Sequence, residues 1–219
     1  MELINGENMM QFFTDGGPVM YPLLVCSILV LTVIIERTIF WLTLDLGRDP
    51  KLLDEIMELC RVGDWESVRH RVSGSKDYII KVLVSGILHR QFSMIKAMEA
   101  AAVEEIKQMR RYMGVLDTMI TVAPLLGILG TVLGIIDSFE VMGTAGIEHP
   151  RLVTAGIARA LITTASGLGI AILSVFPFNF FNSRVERAAM NMEKYATSLE
   201  IVYKKLVGDE EQFQQGPGD

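Results

Sequence analysis

The stretch Ala123-Pro124-Leu125-Leu126-Gly127-Ile128-Leu129-Gly130-Thr131-Val132-Leu133-Gly134-Ile135-Ile136 decides the fold of this chain. It is apolar enough to lie in a lipid bilayer, yet Gly127, Gly130 and Gly134 recur in it at the helical offsets of three and four. Lipid provides no hydrophobic drive for one helix to bind another, so small residues that let two backbones approach closely favour association. We therefore expect a membrane helix that packs tightly against a neighbour.

Charge is distributed unevenly along the 219 residues, 50% of which are hydrophobic. Three long stretches are almost free of charge and the charges crowd the rest, which is typical of a membrane protein with one aqueous domain. The net charge of -6 argues against a nucleic-acid partner. Cys26 lies in an apolar stretch and Cys60 in a charged one, so we expect no disulfide between them. No spacing of Cys or His indicates a metal or cofactor site.

Three apolar stretches are long enough to cross a bilayer as helices. A signal peptide is disfavoured at the first, because no basic segment precedes it and the apolar run is too long. The sequence predicts an all-α integral membrane protein whose membrane helices extend into a helical aqueous domain. Its predicted parts are an N-terminal arm 1–17, a first transmembrane helix 18–44, a charged helical domain 45–112, a second transmembrane helix 113–140, a turn 141–151, a third transmembrane helix 152–182, a further helix 183–207 and a disordered polar tail 208–219.

The charged domain has the apolar spacing of several amphipathic helices. The first of them is expected to end at Gly63, and Ser73-Gly74-Ser75 separates the next two. A longer helix is expected from Ser93 to Tyr112. Since no Gly or Pro occurs before Gly114, this helix is predicted to continue into the second membrane span without a break.

The placement of Lys and Arg predicts the orientation in the membrane. Of the 20 such residues, 12 lie between the first and second spans and five follow the third. The N-terminal arm has none. By the positive-inside rule, the N-terminus is expected on the periplasmic side and both charged regions, including the C-terminus, in the cytoplasm.

The chain carries no sequence signature of an enzyme. None of the patterns GxSxG, P-loop, HExxH or GxGxxG occurs. The three histidines, His70, His89 and His149, all lie outside the predicted spans, whereas an intramembrane metalloprotease would need one within the membrane. We therefore predict that the protein is not an enzyme.

Polar and small residues recur at steps of three and four along the second and third spans, so they share one face of each helix. The face on the second span comprises Asp117, Thr121, Pro124, Gly127, Thr131, Gly134 and Ser138. The face on the third span comprises Gly156, Ala160, Thr163, Gly167, Ala171 and Ser174, with Thr164 beside it. Two interpretations are open: tight helix packing with hydroxyls bonded to their own backbone, or the lining of an ion path.

The two interpretations assign different residues. The candidates for an ion path are Thr131, Thr164, Thr163, Thr121 and Asp117. The candidates for close helix packing are Gly127, Gly130, Gly134 and Gly167. Asp117 lies near the cytoplasmic mouth, where a hydrated interfacial carboxylate is an equally good interpretation.

Charged residues within or beside the spans need a separate explanation, because each is costly in lipid. Asp137 and Arg159 lie near the outer ends of adjacent antiparallel helices, so we hypothesise an ion pair between them; otherwise Arg159 extends outward to water. No acidic residue occupies the central third of any span. If the protein handles protons, the carboxylate that titrates must therefore come from another subunit.

The runs APLLGILGTVLGIIDSF at 123–139 and GIARALITTASGLGIAI at 156–172 resemble the MotA/TolQ/ExbB proton-channel family, most closely its ExbB/TolQ branch. Three spans fit that branch, since MotA-type proteins have four. The resemblance implies a homopentamer in the bacterial inner membrane around a dimer of a single-span, ExbD/TolR-like partner. By motif, Thr131 and Thr164 match the two threonines along the family's ion path.

The resemblance also implies a mechanism. The partner's membrane aspartate would be protonated from outside and deprotonated toward the cytoplasm, and the resulting rotation would do work across the periplasm, with a TonB-like or other periplasm-spanning protein as a further partner. The alternatives are a non-conducting scaffold that clusters a partner and a self-sufficient ion channel. Which envelope process is powered, and whether protons or sodium ions flow, stay open.

This chain departs from the branch at three positions. Arg159 stands where those proteins commonly have Glu, and Asp137 where they commonly have Asn. The proline that follows the third-span glycine in that branch is absent at Leu173. The two charge changes together make the Asp137–Arg159 pair more attractive, and they put in doubt any glutamate function at this site.

Overall fold

The computed structural model describes residues 16–72, 74–145 and 150–214, and every regular element in those ranges is an α-helix. The predicted all-α class is confirmed for this part of the chain. The helices are α1 (Met20–Leu46), α2 (Pro50–Val62), α3 (Trp65–Arg71), α4 (Tyr78–Leu88), α5 (Arg90–Met109), α6 (Met113–Ala145) and α7 (Pro150–Gln214).

Three helical segments have the length and composition to cross a membrane. They are Met20–Leu46, Met113–Gly143 and a part of Thr154–Gly208, and each contains an 18-residue window with at most two charged residues. Among the described residues these are the ones that fit a bilayer core of about 30 Å. The chain is therefore a multi-pass membrane protein with the predicted number of spans.

The chain forms two compact units. The apolar unit consists of the residues up to Arg37 together with Tyr112–Phe181. Its core joins the start of α1, at Val19, Met20 and Leu23, to Ala123 of α6. The charged unit consists of Thr38–Arg111 together with the chain from Asn182 onward.

Local signals explain the short helices of the charged unit. The side chain of Asp49 accepts a hydrogen bond from the Leu52 N–H, and Pro50 follows it at the first helical position. Gly63 ends α2 with a φ of 80°, a left-handed conformation that glycine adopts without strain. Asp64 then caps α3 by accepting from the Ser67 N–H. The end of α2 at Gly63 agrees with the sequence prediction.

Asp77 is the buried centre of the polar contacts at the start of α4. Its side chain is fully buried, and its two carboxylate oxygens accept from the N–H groups of Ile79 (2.9 Å) and Asp49 (3.1 Å). Arg48 lies 3.7 Å from the same carboxylate. One side chain therefore ties the start of α2 to the start of α4 and satisfies donors that would otherwise be buried without partners.

The predicted continuous helix from Ser93 into the second span is wrong. α5 ends at Met109, and the chain turns through residues 110–112 before α6 begins at Met113. Tyr112 has a φ of 63°, which is uncommon for a bulky residue. Its ring lies 5.8 Å from the guanidinium of Arg37, which is 1% exposed. A tertiary cation–π contact thus stabilises a turn that no local Gly or Pro signals.

Three other predicted boundaries differ from the structure. α6 continues to Ala145 and α7 begins at Pro150, so helix covers much of the predicted turn 141–151. α7 continues to Gln214, so residues 208–214 of the predicted disordered tail are helical. After Gly208 this segment has no further Gly or Pro to end the helix. The remainder of these predictions, at 1–15, 146–149 and 215–219, lies outside the described residues.

Substitution of Asp77 tests its role in the charged unit. Asp77→Ala removes the acceptor for two backbone N–H groups, each of which costs about 1–3 kcal/mol when left unpaired, so we expect a clear fall in thermal stability. Asp54→Ala, which truncates an exposed acid on α2, is the matched control and should change little. Thermal unfolding of the purified protein measures both, and equal melting temperatures would contradict the assignment.

Candidate functional site

The helices α6 and α7 approach each other closely along a seam of small residues. A Cβ at position 127 would lie 3.0 Å from the Cα of Thr164, and one at position 134 would lie 2.8 Å from the carbonyl oxygen of Gly156. A Cβ at Gly130 would overlap the side chain of Thr163, and one at Gly167 would overlap the Ala123 carbonyl. All four candidate packing glycines thus lie where the backbone of one helix touches the other.

Most hydroxyls in the seam are used by the helix that carries them. Thr163 is 1% exposed and donates to the Ala160 carbonyl at 2.9 Å, while its side chain fills the space opposite Gly130. Ser138 and Ser174 are also buried, and each donates to the carbonyl four residues earlier. For these residues the observed contacts are those of helix packing, so a role for Thr163 in an ion path stays a prediction.

Thr131 and Thr164 differ from the other hydroxyls because they bond across the seam. Their hydroxyl oxygens are hydrogen-bonded to each other. Both also reach the Gly127 carbonyl, at 3.2 Å from Thr131 and 3.0 Å from Thr164. Both side chains are half-buried. We call this arrangement the threonine pair.

The threonine pair depends on the glycine between the helices. Because residue 127 has no side chain, the backbone of Thr164 lies against α6 and its hydroxyl reaches the Gly127 carbonyl. Each hydroxyl has one proton to donate, and the bonds within the seam use both protons of the pair. The oxygens can therefore accept from a carboxylic acid, and donation to a carboxylate requires one of the seam bonds to open. The site can therefore contact a group whose charge alternates, without itself changing charge.

The other two path candidates do not lie at the threonine pair. Asp117 and Thr121 are exposed on α6. At about 1.5 Å per residue they lie about 21 Å and 15 Å from Thr131 along the helix axis. Among the described residues there is no cluster of three or more His, Cys, Asp or Glu that could hold a metal ion.

Asp137 and Arg159 are brought together, with Nη1 of the arginine 4.0 Å from Oδ2 of the aspartate. The side chains are 56% and 42% exposed, which indicates a weak ion pair.

Gly17 packs on the side chain of Arg159. A Cβ at position 17 would lie 2.8 Å from Arg159 Cδ, and the φ of Gly17 is 72°. The segment before α1 therefore contributes to the surroundings of Arg159. The Gly-Gly-Pro at 16–18 is the signal that could have suggested it.

Arg37 is a buried charge whose role the sequence did not reveal. Glu36 and Arg37 are adjacent charged residues in the second half of α1. In the structure the guanidinium is paired with the Glu36 carboxylate through two contacts, of 2.5 Å and 2.6 Å, and stacks near Tyr112. Pairing of this kind is what allows a charge to be buried. Sequence alone does not distinguish it from a solvated arginine at the membrane surface.

Comparison with known proteins identifies relatives over most of the chain. The model of the MotA/TolQ/ExbB proton channel family matches residues 75–194. The biopolymer transport protein ExbB-like 3 of Synechocystis is 31% identical over 198 residues, covering 87% of this chain and 93% of the relative. ExbB-like 1 of the same organism is 34% identical over 205 residues, covering 89% and 78%. The Tol-Pal system protein TolQ of Pseudomonas aeruginosa is 33% identical over 112 residues, covering 51% and 48%.

Two glycines of α7 provide a matched test of the seam. Gly167→Ala places a methyl group against the α6 backbone and should destabilise the protein by about 1–3 kcal/mol. Gly169→Ala, two residues away, meets no atom within 4 Å and should be neutral or stabilising by up to about 1 kcal/mol, because alanine favours helix. Thermal unfolding in detergent measures both; similar effects at the two positions would refute the close approach.

A double-mutant cycle tests the Asp137–Arg159 pair. We expect Asp137→Asn and Arg159→Gln to be coupled by more than about 0.5 kcal/mol in assembly or unfolding, since each removes the other's partner. The control cycle combines Arg159→Gln with Asp117→Asn, which lies about 30 Å from Asp137 along α6 and should be additive. Additivity in both cycles would mean that the 4.0 Å contact contributes nothing measurable.

Proposed function

This chain belongs to the MotA/TolQ/ExbB proton channel family, in its ExbB/TolQ-like branch, and from that premise we propose that it is the ring subunit of an ion-driven motor in the bacterial inner membrane. In this proposal ion flow does mechanical work through a single-span, ExbD/TolR-like partner. The coarser role, a membrane component of transport systems of the ExbB/TolQ type, agrees with the names of the relatives.

The observation that carries the proposal is the threonine pair. Two hydroxyls from different helices share one backbone carbonyl within an apolar span. The hydroxyls of Ser138 and Ser174, by contrast, each donate to the carbonyl four residues earlier on their own helix. A pair that accepts from a carboxylic acid, and donates to a carboxylate once a seam bond opens, suits a path along which a proton is carried on an acid.

The acid itself would come from the partner. In the apolar unit the described Asp and Glu residues are Glu36, Asp117, Asp137 and Glu140. Asp117, Asp137 and Glu140 lie toward the ends of Met113–Gly143, whereas Glu36 lies deeper in Met20–Leu46 and is paired with Arg37. A group that gains and loses charge near the centre of the membrane is needed for proton movement. We therefore propose a membrane aspartate of the ExbD/TolR-like partner opposite Thr131 and Thr164.

Large apolar side chains exposed on the protomer support an assembly. On α6 they include Leu125, Ile128, Val132, Ile136 and Phe139, and on α7 Leu161, Leu168, Ile172 and Phe176. Such surfaces face lipid or other subunits. We propose a homopentamer around a partner dimer, with the N-terminus in the periplasm, the C-terminus in the cytoplasm, and a TonB-like or other periplasm-spanning protein as the recipient of the work.

Two other functions remain as alternatives. A non-conducting scaffold would need the seam but not the cross-seam hydroxyls, and a self-sufficient channel would conduct without the partner. On the described parts of α6 and α7 no Asp or Glu lies within one helical turn of Thr131 or Thr164, which argues against the channel. The valine variants described next separate the motor from the scaffold.

Thr131→Val and Thr164→Val test the motor directly. Valine keeps the shape of threonine and removes the hydroxyl, so we expect each variant to assemble normally and to lose proton flux in vesicles that contain the chain and its partner. Serine at either position keeps a hydroxyl and should retain flux. Thr32→Val is the matched control, because that hydroxyl bonds only the carbonyl one turn earlier on α1. Undiminished flux in the double valine variant would exclude the hydroxyl path.

The composition of the native complex decides among the three functions. We expect the complex purified in mild detergent to contain a ring of this chain and two copies of a single-span protein with a membrane Asp, as measured by native mass spectrometry. A ring that conducts without any partner would favour the channel. A complex with other proteins and no ion flux would favour the scaffold.

A further inference from the structure

The charged unit contains a pocket of about 610 Å³ that the proposed ion path does not use. Three helices of that unit form it, α3 along one wall and the junction of α4 with α5 along the other. Its lining residues are Trp65, Glu66, Arg69, His70, Ile87, Leu88 and Arg90.

The pocket combines an apolar floor with a basic rim. Ile87 is buried beneath it and Leu88 is exposed beside it. The guanidinium of Arg90 is held over the Trp65 ring at 5.4 Å and donates to the Ile87 carbonyl at 3.1 Å. Arg69 differs from Arg61 and Arg71, which form ion pairs with acids of α2, because no ion pair joins it to any described residue. Arg69 and Arg90 outnumber the one acid of the lining, Glu66, so the rim is positive. A positive rim over an apolar floor suits an acidic segment that carries an apolar side chain.

We propose that this pocket binds the acidic C-terminal segment, residues 209–219, of a neighbouring copy of the chain. That segment contains Asp209, Glu210, Glu211 and Asp219, has no Lys or Arg, and carries one large apolar residue, Phe213. Its charge is complementary to the rim, and Phe213 matches the apolar floor. The proposal rests on the ring of the proposed function, since it needs an adjacent copy.

The symmetry of a ring places the segment at the level of the pocket. Rotation about the ring axis moves no atom along that axis, so equivalent residues of adjacent copies have the same height. Within one copy, the Tyr203 hydroxyl donates to the Arg90 carbonyl, and Leu206 packs against Gly63, two residues before the pocket residue Trp65. Asp209 follows Leu206 by about 4.5 Å of helix. The helix backbone at residue 209 of the neighbour therefore lies within one helical turn of the height of the pocket edge.

The segment of the same copy is a poorer fit. α7 stays helical to Gln214, so residues 209–211 of the same copy continue the helix past the contacts that Tyr203 and Leu206 make beside the pocket. Tyr203 of the same copy already contacts one side of the pocket, with its ring 6.0 Å from that of Trp65.

Cross-linking between copies tests the proposal. One version of the full chain carries Arg69→Cys and a second, with a different tag, carries Glu210→Cys; both are produced together and treated in membranes with a bismaleimide. The native thiols should not react with the bismaleimide, because Cys26 and Cys60 are buried and burial raises the pKa of Cys60 to about 12. We expect a cross-linked dimer of the two versions. Lys51→Cys in place of Arg69→Cys is the control, since Lys51 is exposed at the far end of α2, about 18 Å from Gly63.

The same sample separates the two proposals. If native mass spectrometry shows the ring but no dimer forms above the Lys51 control, the pocket assignment is overturned and the ring stands. If no ring is present, the proposed function is contradicted, and the pocket assignment is contradicted with it because it needs an adjacent copy. A cross-link within one chain that carries both cysteines, without any dimer, would assign the pocket to the segment of the same copy and overturn the proposal.

Reversing the charge of Arg69 tests whether the acidic segment is attracted to the pocket by charge. For this test the two cysteines are placed at His70→Cys and Gln212→Cys, so that Arg69 can be varied. Arg69→Glu should then lower the yield of the cross-linked dimer about two- to fivefold, the range expected for an exposed ion pair. Changing Asp209, Glu210 and Glu211 to Lys in the partner version should restore it. Lys51→Glu should leave the yield unchanged. If Arg69→Glu does not lower the yield of the cross-linked dimer, or if lysines at 209–211 do not restore it, the proposed charge complementarity is overturned.

Discussion

The close approach of α6 and α7 is the constraint on which the rest of the apolar unit depends. Lipid cannot drive two apolar helices together, so the contact relies on backbone packing at positions without side chains. Gly127 and Gly167 allow that contact. It brings the Thr164 hydroxyl to the Gly127 carbonyl and to the hydroxyl of Thr131, which bonds the same carbonyl from within α6.

Satisfied polar groups organise both units in the same way. In the apolar unit Arg37 is buried with its charge paired to Glu36 and its guanidinium near Tyr112. In the charged unit Asp77 is buried with both carboxylate oxygens bonded to backbone N–H groups. Each group connects segments distant in sequence, because a buried charge must find partners wherever the fold supplies them. The turn at Tyr112 and the junction of α2 with α4 follow from these contacts.

Much of the fold could be predicted from local sequence, and the break before α6 is a departure with a tertiary cause. The three spans, the glycines of the seam and the end of α2 at Gly63 depend on composition and spacing that act within a few residues. The break before α6 does not, because Tyr112 adopts a left-handed conformation there and its ring lies near Arg37 of α1, a contact that no short-range pattern shows. Likewise, adjacent threonines at 163 and 164 look equivalent in sequence, and only their positions around α7 separate the packed one from the one that bonds across the seam.

By itself the sequence determined that this is a helical membrane protein with three spans and which family it resembles, because these follow from composition and short-range pattern. Tertiary structure decided the pairing of Thr131 with Thr164, the meeting of Asp137 and Arg159 at 4.0 Å, and the assembly of a basic pocket from α3, α4 and α5. The reason is that spacing places a residue on a face of its own helix, whereas the rotation and depth of one helix against another are set by packing along their whole length.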